Sequence, residues 1–211
     1  MLRHWQGLGY PRRARHLHAT AIAVTERGTF PESLDELLAL PGVGPYTARA
    51  LRAFAFEAEA AVVDTNIARV YARVIGRPLR RREVQAIADA AAPLGEWWAW
   101  NQTIMELGAV LCRPGSPRCD ECPVASMCTW RGSDAPDPAV GSAGVGGRQA
   151  PLDGSDRPGR GALLRAAGHG PVSRSALAAA SGRDAEHAGR LADALVADGL
   201  LVRDADTYRL P

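Results

Sequence analysis

The sequence contains no lysine; all 25 of its basic residues are arginine. An enzyme that holds its substrate as a Schiff base on a lysine side chain is therefore excluded. Aromatic residues are scarce at 6%, against 46% hydrophobic residues overall, so the core has to be packed mainly from Leu, Ala and Val between helices. No apolar run approaches the roughly 18 residues that would span a bilayer. The N-terminal Met-Leu-Arg-His-Trp-Gln-Gly lacks the apolar centre of an export signal. Together these absences predict a cytoplasmic protein with no membrane contact. In that compartment, four clustered cysteines are expected as metal ligands rather than as disulfides.

The net charge of +2 is unevenly spread. Residues 1–131 carry 16 Arg against 13 Asp and Glu, whereas residues 132–211 carry 9 against 10. The front part is the better candidate for meeting an anionic polymer. Its pattern is helical throughout. Leu34, Leu37 and Leu38 recur at helical spacing after Pro31, a Gly/Pro hairpin follows at Pro41 to Pro45, and 48–56 reads as the next helix. Ile67, Val70, Tyr71 and Val74 form a further apolar stripe closed by Gly76 and Pro78. Residues 97–110 supply a strongly apolar helix that leads into the cysteines.

Residues 132–158 are rich in Gly, Pro, Ser and Asp, which predicts a flexible linker between a domain at 1–131 and a small one at 159–211. In the tail, Leu163–Leu164 lie on a short helix. Ser173 and Asp184 are candidate caps of two more, the last carrying Leu191, Leu195 and Val196. Leu200–Val202 and Thr207–Leu210 flank a turn at Asp204–Asp206. Three helices and a hairpin predict a winged-helix-like domain, and a helical packing appendage is the competing reading. The fold class expected for the chain is all-α with this small appendage.

All four cysteines fall within 17 residues, as Cys112-x6-Cys119-x2-Cys122-x5-Cys128. Zinc ribbons set their ligands as two separated C-x2-C knuckles. A single C-x2-C with one longer arm on each side suits thiolates approaching a larger object, as around an iron–sulfur cubane. Pro114, Pro117 and Pro123 stiffen the loop.

This spacing, preceded by Met105-Glu106-Leu107-Gly108-Ala109, resembles the endonuclease III/MutY superfamily of helix-hairpin-helix DNA glycosylases. The resemblance implies a 4Fe–4S cluster on Cys112, Cys119, Cys122 and Cys128. It also implies a DNA-binding loop around it, in which Arg113 and Arg118 are the candidates to meet phosphates. Leu40-Pro41-Gly42-Val43-Gly44-Pro45-Tyr46-Thr47-Ala48 strengthens it. Two glycines permit a tight turn, and the amides opening the next helix can grip a phosphate, although a Gly-x-Gly turn taken alone serves equally as a plain turn. By resemblance this is the superfamily's hairpin, with Gly42, Val43, Gly44 and Thr47 facing DNA and a monovalent cation held by hairpin carbonyls. Tyr46 stands where the strand-cleaving members carry lysine, which implies a monofunctional enzyme of the MutY-type adenine glycosylases or the related mismatch thymine glycosylases.

Twenty residues beyond Gly44, Val62-Val63-Asp64-Thr65-Asn66-Ile67-Ala68-Arg69-Val70 places an acid at a helix start. The local pattern reads as an N-cap, and by resemblance Asp64 is also the catalytic aspartate, with Asn66 and Tyr46 lining its pocket. A carboxylate there would stabilise positive charge developing on deoxyribose as the glycosidic bond breaks. Tyr10, in Gly7-Leu8-Gly9-Tyr10, matches the family's DNA wedge, with a core tyrosine as the alternative. Arg12, Arg13 and Arg15 follow as expected backbone contacts.

The expected function is therefore excision of adenine mispaired with 8-oxoguanine or guanine, by a monomer acting on double-stranded DNA at the bacterial nucleoid. Mismatch thymine or uracil excision, or a DNA-binding fragment without activity, are the alternatives. The family's W-x-S-E-x-M-L-Q-Q-T stretch, which supplies the general acid, does not occur, so an N-terminally truncated chain is expected. The 53 residues from 159 to 211 are too few for the Nudix-like domain of many relatives.

Overall fold

The computed structural model describes residues 1–131, 133–145 and 151–211. Two compact units emerge: Met1–Phe30 with Gln149–Pro211, and Pro31–Arg148. Helix α1 (Pro11–Arg27) opens on a proline, whose fixed φ and missing N–H suit the first helical position, and ends at Gly28 with φ 82°.

The Pro31–Arg148 unit contains α2 (Leu34–Leu38), α3 (Pro45–Ala55), α4 (Thr65–Ile75), α5 (Arg81–Ala91) and α6 (Trp97–Glu106). Their boundaries are set by side chains. The Ser33 hydroxyl accepts from the Glu36 amide, Asp64 accepts from the Ile67 amide, and the Glu83 carboxylate accepts from the Arg80 amide. The core forms around α4, where Ile67, Ala68, Val70, Tyr71 and Ala72 are buried against Leu79, Val84, Ala88 and Ile104. The expected apolar stripe on this helix is thus its buried face. Beneath it, the Asn101 amide group is fully enclosed; it accepts from Val62 N at 2.8 Å and donates to the Ala60 and Trp97 carbonyls.

One helix was expected over 97–110. The α-helical part ends at Glu106 and continues as a single π turn, Leu107–Leu111, in which Cys112 N reaches back five residues to Leu107 O. The widened turn brings Gly108 against α4. A Cβ on Gly108 would lie 2.6 Å from Asn66 Cβ and 2.9 Å from its carbonyl oxygen, so no side chain fits.

The described part of 133–145 differs from the flexible linker expected there; residues 132 and 146–150 of that stretch lie outside the described residues. Ala139 and Ser142 are buried. The Ser142 hydroxyl donates to Pro138 O at 2.6 Å and accepts from Leu79 N at 3.0 Å, while Ala143 N donates to Leu79 O. Composition pointed to a linker because the anchors are small or polar and carry no apolar periodicity. Ser142→Ala should leave the buried Leu79 amide without its acceptor and lower the stability of this unit by about 1–3 kcal/mol, read by chemical denaturation. An unchanged midpoint would show the segment to be undocked.

In the other unit follow α7 (Arg157–His169), β1 (Val172–Ser173), α8 (Leu177–Ser181), α9 (Ala185–Ala197), β2 (Val202–Asp204) and β3 (Thr207–Arg209). Helix α7 begins inside the expected linker. Asp184 caps α9 through the His187 amide, as expected, whereas Ser173 makes no side-chain cap. The antiparallel sheet runs β1-β3-β2, with Tyr208 paired to both Val172 and Arg203. Element order and sheet order are those of a winged helix, built on Leu163, Leu177, Leu191, Leu195, Leu200 and Tyr208. Leu2 packs against this core, Arg12 and Arg160 both pair with Asp198, and Arg15 donates to the Asp198 carbonyl. Residues 1–30 therefore cluster with the tail instead of with the expected 1–131 domain, through contacts separated by more than 150 residues in sequence.

Candidate active site and cysteine cavity

Asp64 begins α4 in extended backbone conformation, and its carboxylate is held at two points. One oxygen accepts from the Ile67 amide at 2.7 Å, and the other from Asn66 Nδ2 at 3.1 Å. An anion at the positive end of a helix, with two fixed donors, cannot swing away from its position. The Asn66 amide is itself oriented, because its oxygen accepts from Arg69 at 2.7 Å. Arg69, buried to 2% exposure, also donates to Gly108 O at 2.6 Å and Cys112 O at 2.7 Å. A continuous set of hydrogen bonds therefore runs from the first cysteine to the Asp64 carboxylate. Sequence reasoning gave Arg69 no role; its signal is an arginine spaced three residues after Asn66 on the buried face of α4.

Gly108→Ala tests this packing. The new methyl would push Asn66 aside, so stability should fall by about 1–3 kcal/mol and any reaction depending on Asp64 should slow more than the stability loss explains. Unchanged single-turnover kinetics in the folded variant would show that the Asn66 position does not matter.

One turn further on, Arg73 is 1% exposed and meets the carboxylate of Asp137 twice, at 3.0 and 2.6 Å. Its third nitrogen donates to Cys112 O at 3.2 Å, Arg113 O at 2.9 Å and Cys112 Sγ at 3.3 Å, and its plane lies 4.7 Å from the Trp130 ring. Burial opposes the charge on Arg73, but the bonds to Asp137 and Cys112 more than offset it. The same guanidinium holds the Asp137 carboxyl below the usual carboxylate range. Burial pushes the Cys112 thiol up, against the pull of Arg73 and Arg69.

All four cysteines line one small apolar cavity of about 20 Å³, together with Val70, Val74, Leu107 and Leu111. None is in a disulfide. Among the described residues, no three His, Cys, Asp or Glu side chains converge as they would on one metal ion. Four thiols set around a shared apolar space fit a multi-atom cluster by the chemistry of the donor set.

The hairpin lies between α2 and α3. Gly42 takes φ 73°, Val43 N donates to Leu40 O, and Gly44 is the extended N-cap of α3, with Pro45 at the first position. Gly42 and Thr47 are exposed and Val43 and Gly44 partly so, which leaves this corner open to a ligand. Tyr46 is 46% exposed and lines a groove with Leu34, Arg49, Val63, Gln85 and Gly144. The groove includes the neighbour of Asp64 but neither Asp64 nor Asn66, whose side chain is turned toward Arg69. In the cysteine loop, Arg118 is paired with Glu121 and Arg113 donates to Val110 O at 2.8 Å. Tyr10 and Arg12 belong to the other unit, where Tyr10 precedes α1 with φ 46° and is 66% exposed.

Residues 25–54 match the family model of the helix-hairpin-helix motif. The adenine DNA glycosylase of Mycolicibacterium smegmatis is 37% identical over 214 residues, covering 98% of this chain and 71% of that protein. A thermostable thymine-DNA glycosylase superposes with a TM-score of 0.54 at 31% identity, over 57% of this chain and 58% of the other. An endonuclease III in non-covalent complex with DNA does so at 0.50 and 30% identity, over 59% of each chain. The chain therefore spans less than two thirds of those two structures. The hairpin, the capped carboxylate and the cysteine cavity, taken with these likenesses, define a helix-hairpin-helix DNA glycosylase. Within that class the chain belongs to the adenine DNA glycosylase family.

Proposed function

We propose that the chain excises adenine mispaired with 8-oxoguanine or guanine, hydrolysing the N-glycosidic bond and leaving the strand uncut. The observation that carries this reading is the Asp64 carboxylate, fixed by Ile67 N and Asn66 Nδ2 beyond a hairpin in which Tyr46 replaces the strand-cleaving lysine. Breaking the bond leaves the electron pair with the base and positive charge on the sugar. A carboxylate held beside the anomeric carbon lowers the energy of that cation; water then adds to it as hydroxyl, and the proton it loses passes through solvent to the departing base. With no lysine amine to form a Schiff base on the sugar, the chain lacks the side chain by which strand-cleaving relatives drive scission.

Asn66 orients Asp64, Tyr46 borders the base pocket, and the Gly42–Thr47 hairpin grips a phosphate, with a monovalent cation on its carbonyls. Tyr10 wedges into the duplex beside the target, Arg12 steadies the backbone, and Arg113 and Arg118 meet phosphates near the cysteine loop. Cys112, Cys119, Cys122 and Cys128 would hold a 4Fe–4S cluster, which would tie the loop together. The division into a glycosylase part, a connecting segment and a winged-helix tail belongs to the same reading, as do a monomeric enzyme and a cytoplasmic site of action. No helix among the described residues is long and apolar enough to cross a membrane.

Thymine excision is the second reading, favoured by the 31% identity to the thymine-DNA glycosylase structure. Duplexes with A opposite 8-oxoguanine, A opposite G and T opposite G separate the two. Alkali-revealed breaks at A are the expected result; breaks confined to T would overturn it.

A further inference from the structure

A winged helix is expected to offer DNA its last helix, and in this chain the charges on that face argue otherwise. The surface between α9 and the β2–β3 turn carries Glu186, Asp193 and Asp206 against Arg174 and Arg190. Arg190 is held by Glu186 at 2.6 Å, and Asp193 accepts from the Tyr208 hydroxyl. A phosphate backbone approaching there meets an excess of carboxylate.

Elsewhere on the same unit, residues of α1 and α7 line a groove. Its walls carry Arg12, Arg13, Arg157, Arg160, Arg165 and His16, and no Asp or Glu. Asp198 behind the wall neutralises Arg12 and Arg160 and so fixes α1 to α7. Arg157 is engaged with the Pro151 carbonyl. Arg13 and Arg165, one contributed by each helix, are exposed, and among the described residues their guanidiniums make no ion pair or hydrogen bond. Trp5 and Tyr10 line the same groove, and Leu164, Leu200 and Leu210 its floor. Exposed, unpaired guanidiniums beside aromatic faces suit a nucleic-acid strand, whose phosphates take the charge and whose sugars and bases take the flat apolar surface.

We propose that the C-terminal winged helix meets the DNA backbone through this α1–α7 groove and turns α9 away from it. The inference rests on the chain acting on DNA, as proposed above, but not on which base is excised. Binding of a fluorescein-labelled undamaged duplex to the whole chain, followed by anisotropy over a range of salt, tests it. Replacing Arg13 and Arg165 together with Gln should weaken binding several-fold and lower the slope of log K against log salt by about 2, one phosphate for each arginine. Arg174→Gln with Arg190→Gln, on the α9 face, should leave both affinity and slope unchanged. Equal losses from the two pairs, or a loss from the α9 pair alone, would overturn the proposal. So would binding of an acidic peptide, in place of DNA, that depends on Arg13 and Arg165. Because the probe contains no mispair, failure of excision with an intact arginine effect would count against the proposed reaction and not against the groove. Normal excision with no arginine effect would count against the groove alone.

Discussion

Asp64→Asn is expected to slow single-turnover adenine excision by about 10²–10³-fold, the scale seen when one preorganised electrostatic group is removed. Asparagine keeps the shape of the side chain and caps a helix as well as aspartate does. It can still accept from the Ile67 amide, and α4 should form as before. What disappears is the charge. The variant thereby separates the two roles that the sequence assigns to one residue: thermal stability should change little while the chemical step collapses. The measurement is a quench-and-alkali time course on A opposite 8-oxoguanine, with excess enzyme so that product release does not intrude. A rate within three-fold of the parent would remove Asp64 from the chemistry and leave it only as the cap of α4.

The features that carry most of this reading were legible because each depends on short spacing. The cysteines, the Gly42–Gly44 turn and the Asp64 cap are local devices, and local geometry follows from which residue types stand a few positions apart. Helix α5 was legible as well and went unread, since Val84, Ile87 and Ala88 keep helical spacing after the Arg80–Glu83 start. Other features were out of reach. Nothing in a single sequence says that Arg69 and Arg73 are buried, because arginine is an exposed residue by default and only the partners justify its burial. Those partners are backbone carbonyls at 108, 112 and 113 and the carboxylate of Asp137, 39 to 64 residues away. The docking of 133–145 was hidden for the same reason. It rests on Ser142 and Asp137, which in composition are indistinguishable from linker residues. The grouping of residues 1–30 with the tail depends on Asp198 and on one leucine, at separations where periodicity carries no information.

Arg73 joins these hidden parts, and its removal should have the largest effect on stability. Arg73→Ala would strip the Asp137 carboxylate of its bidentate partner, leave the Arg113 carbonyl without its donor and the Cys112 carbonyl with Arg69 alone, and take a cation from the face of Trp130. Removing one partner of a fully buried pair costs about 3–5 kcal/mol, and this loss should fall toward the lower end, because the remaining Asp137 carboxylate keeps 24% exposure to water. For a unit of this size that is much of the total stability. Unfolding should shift to markedly lower denaturant, and if the cysteines hold a cluster, its visible absorbance should be lost at lower temperature than in the parent. Asp137→Asn should cost less, since the amide oxygen still accepts from the guanidinium. The comparison also fixes a pH dependence. The Asp137 carboxyl is held below its unfolded value of about 3.9, so the pair contributes fully above that pH and loses its contribution as the pH falls through the lower folded value. The stability advantage of the parent over Asp137→Asn should therefore be constant near neutrality, begin to fall below about pH 4, and vanish only once the pH is below the folded value. An advantage that grew as the pH fell, or an Arg73→Ala variant as stable as the parent, would show that the pair does not hold the 133–145 segment and the cysteine loop to α4.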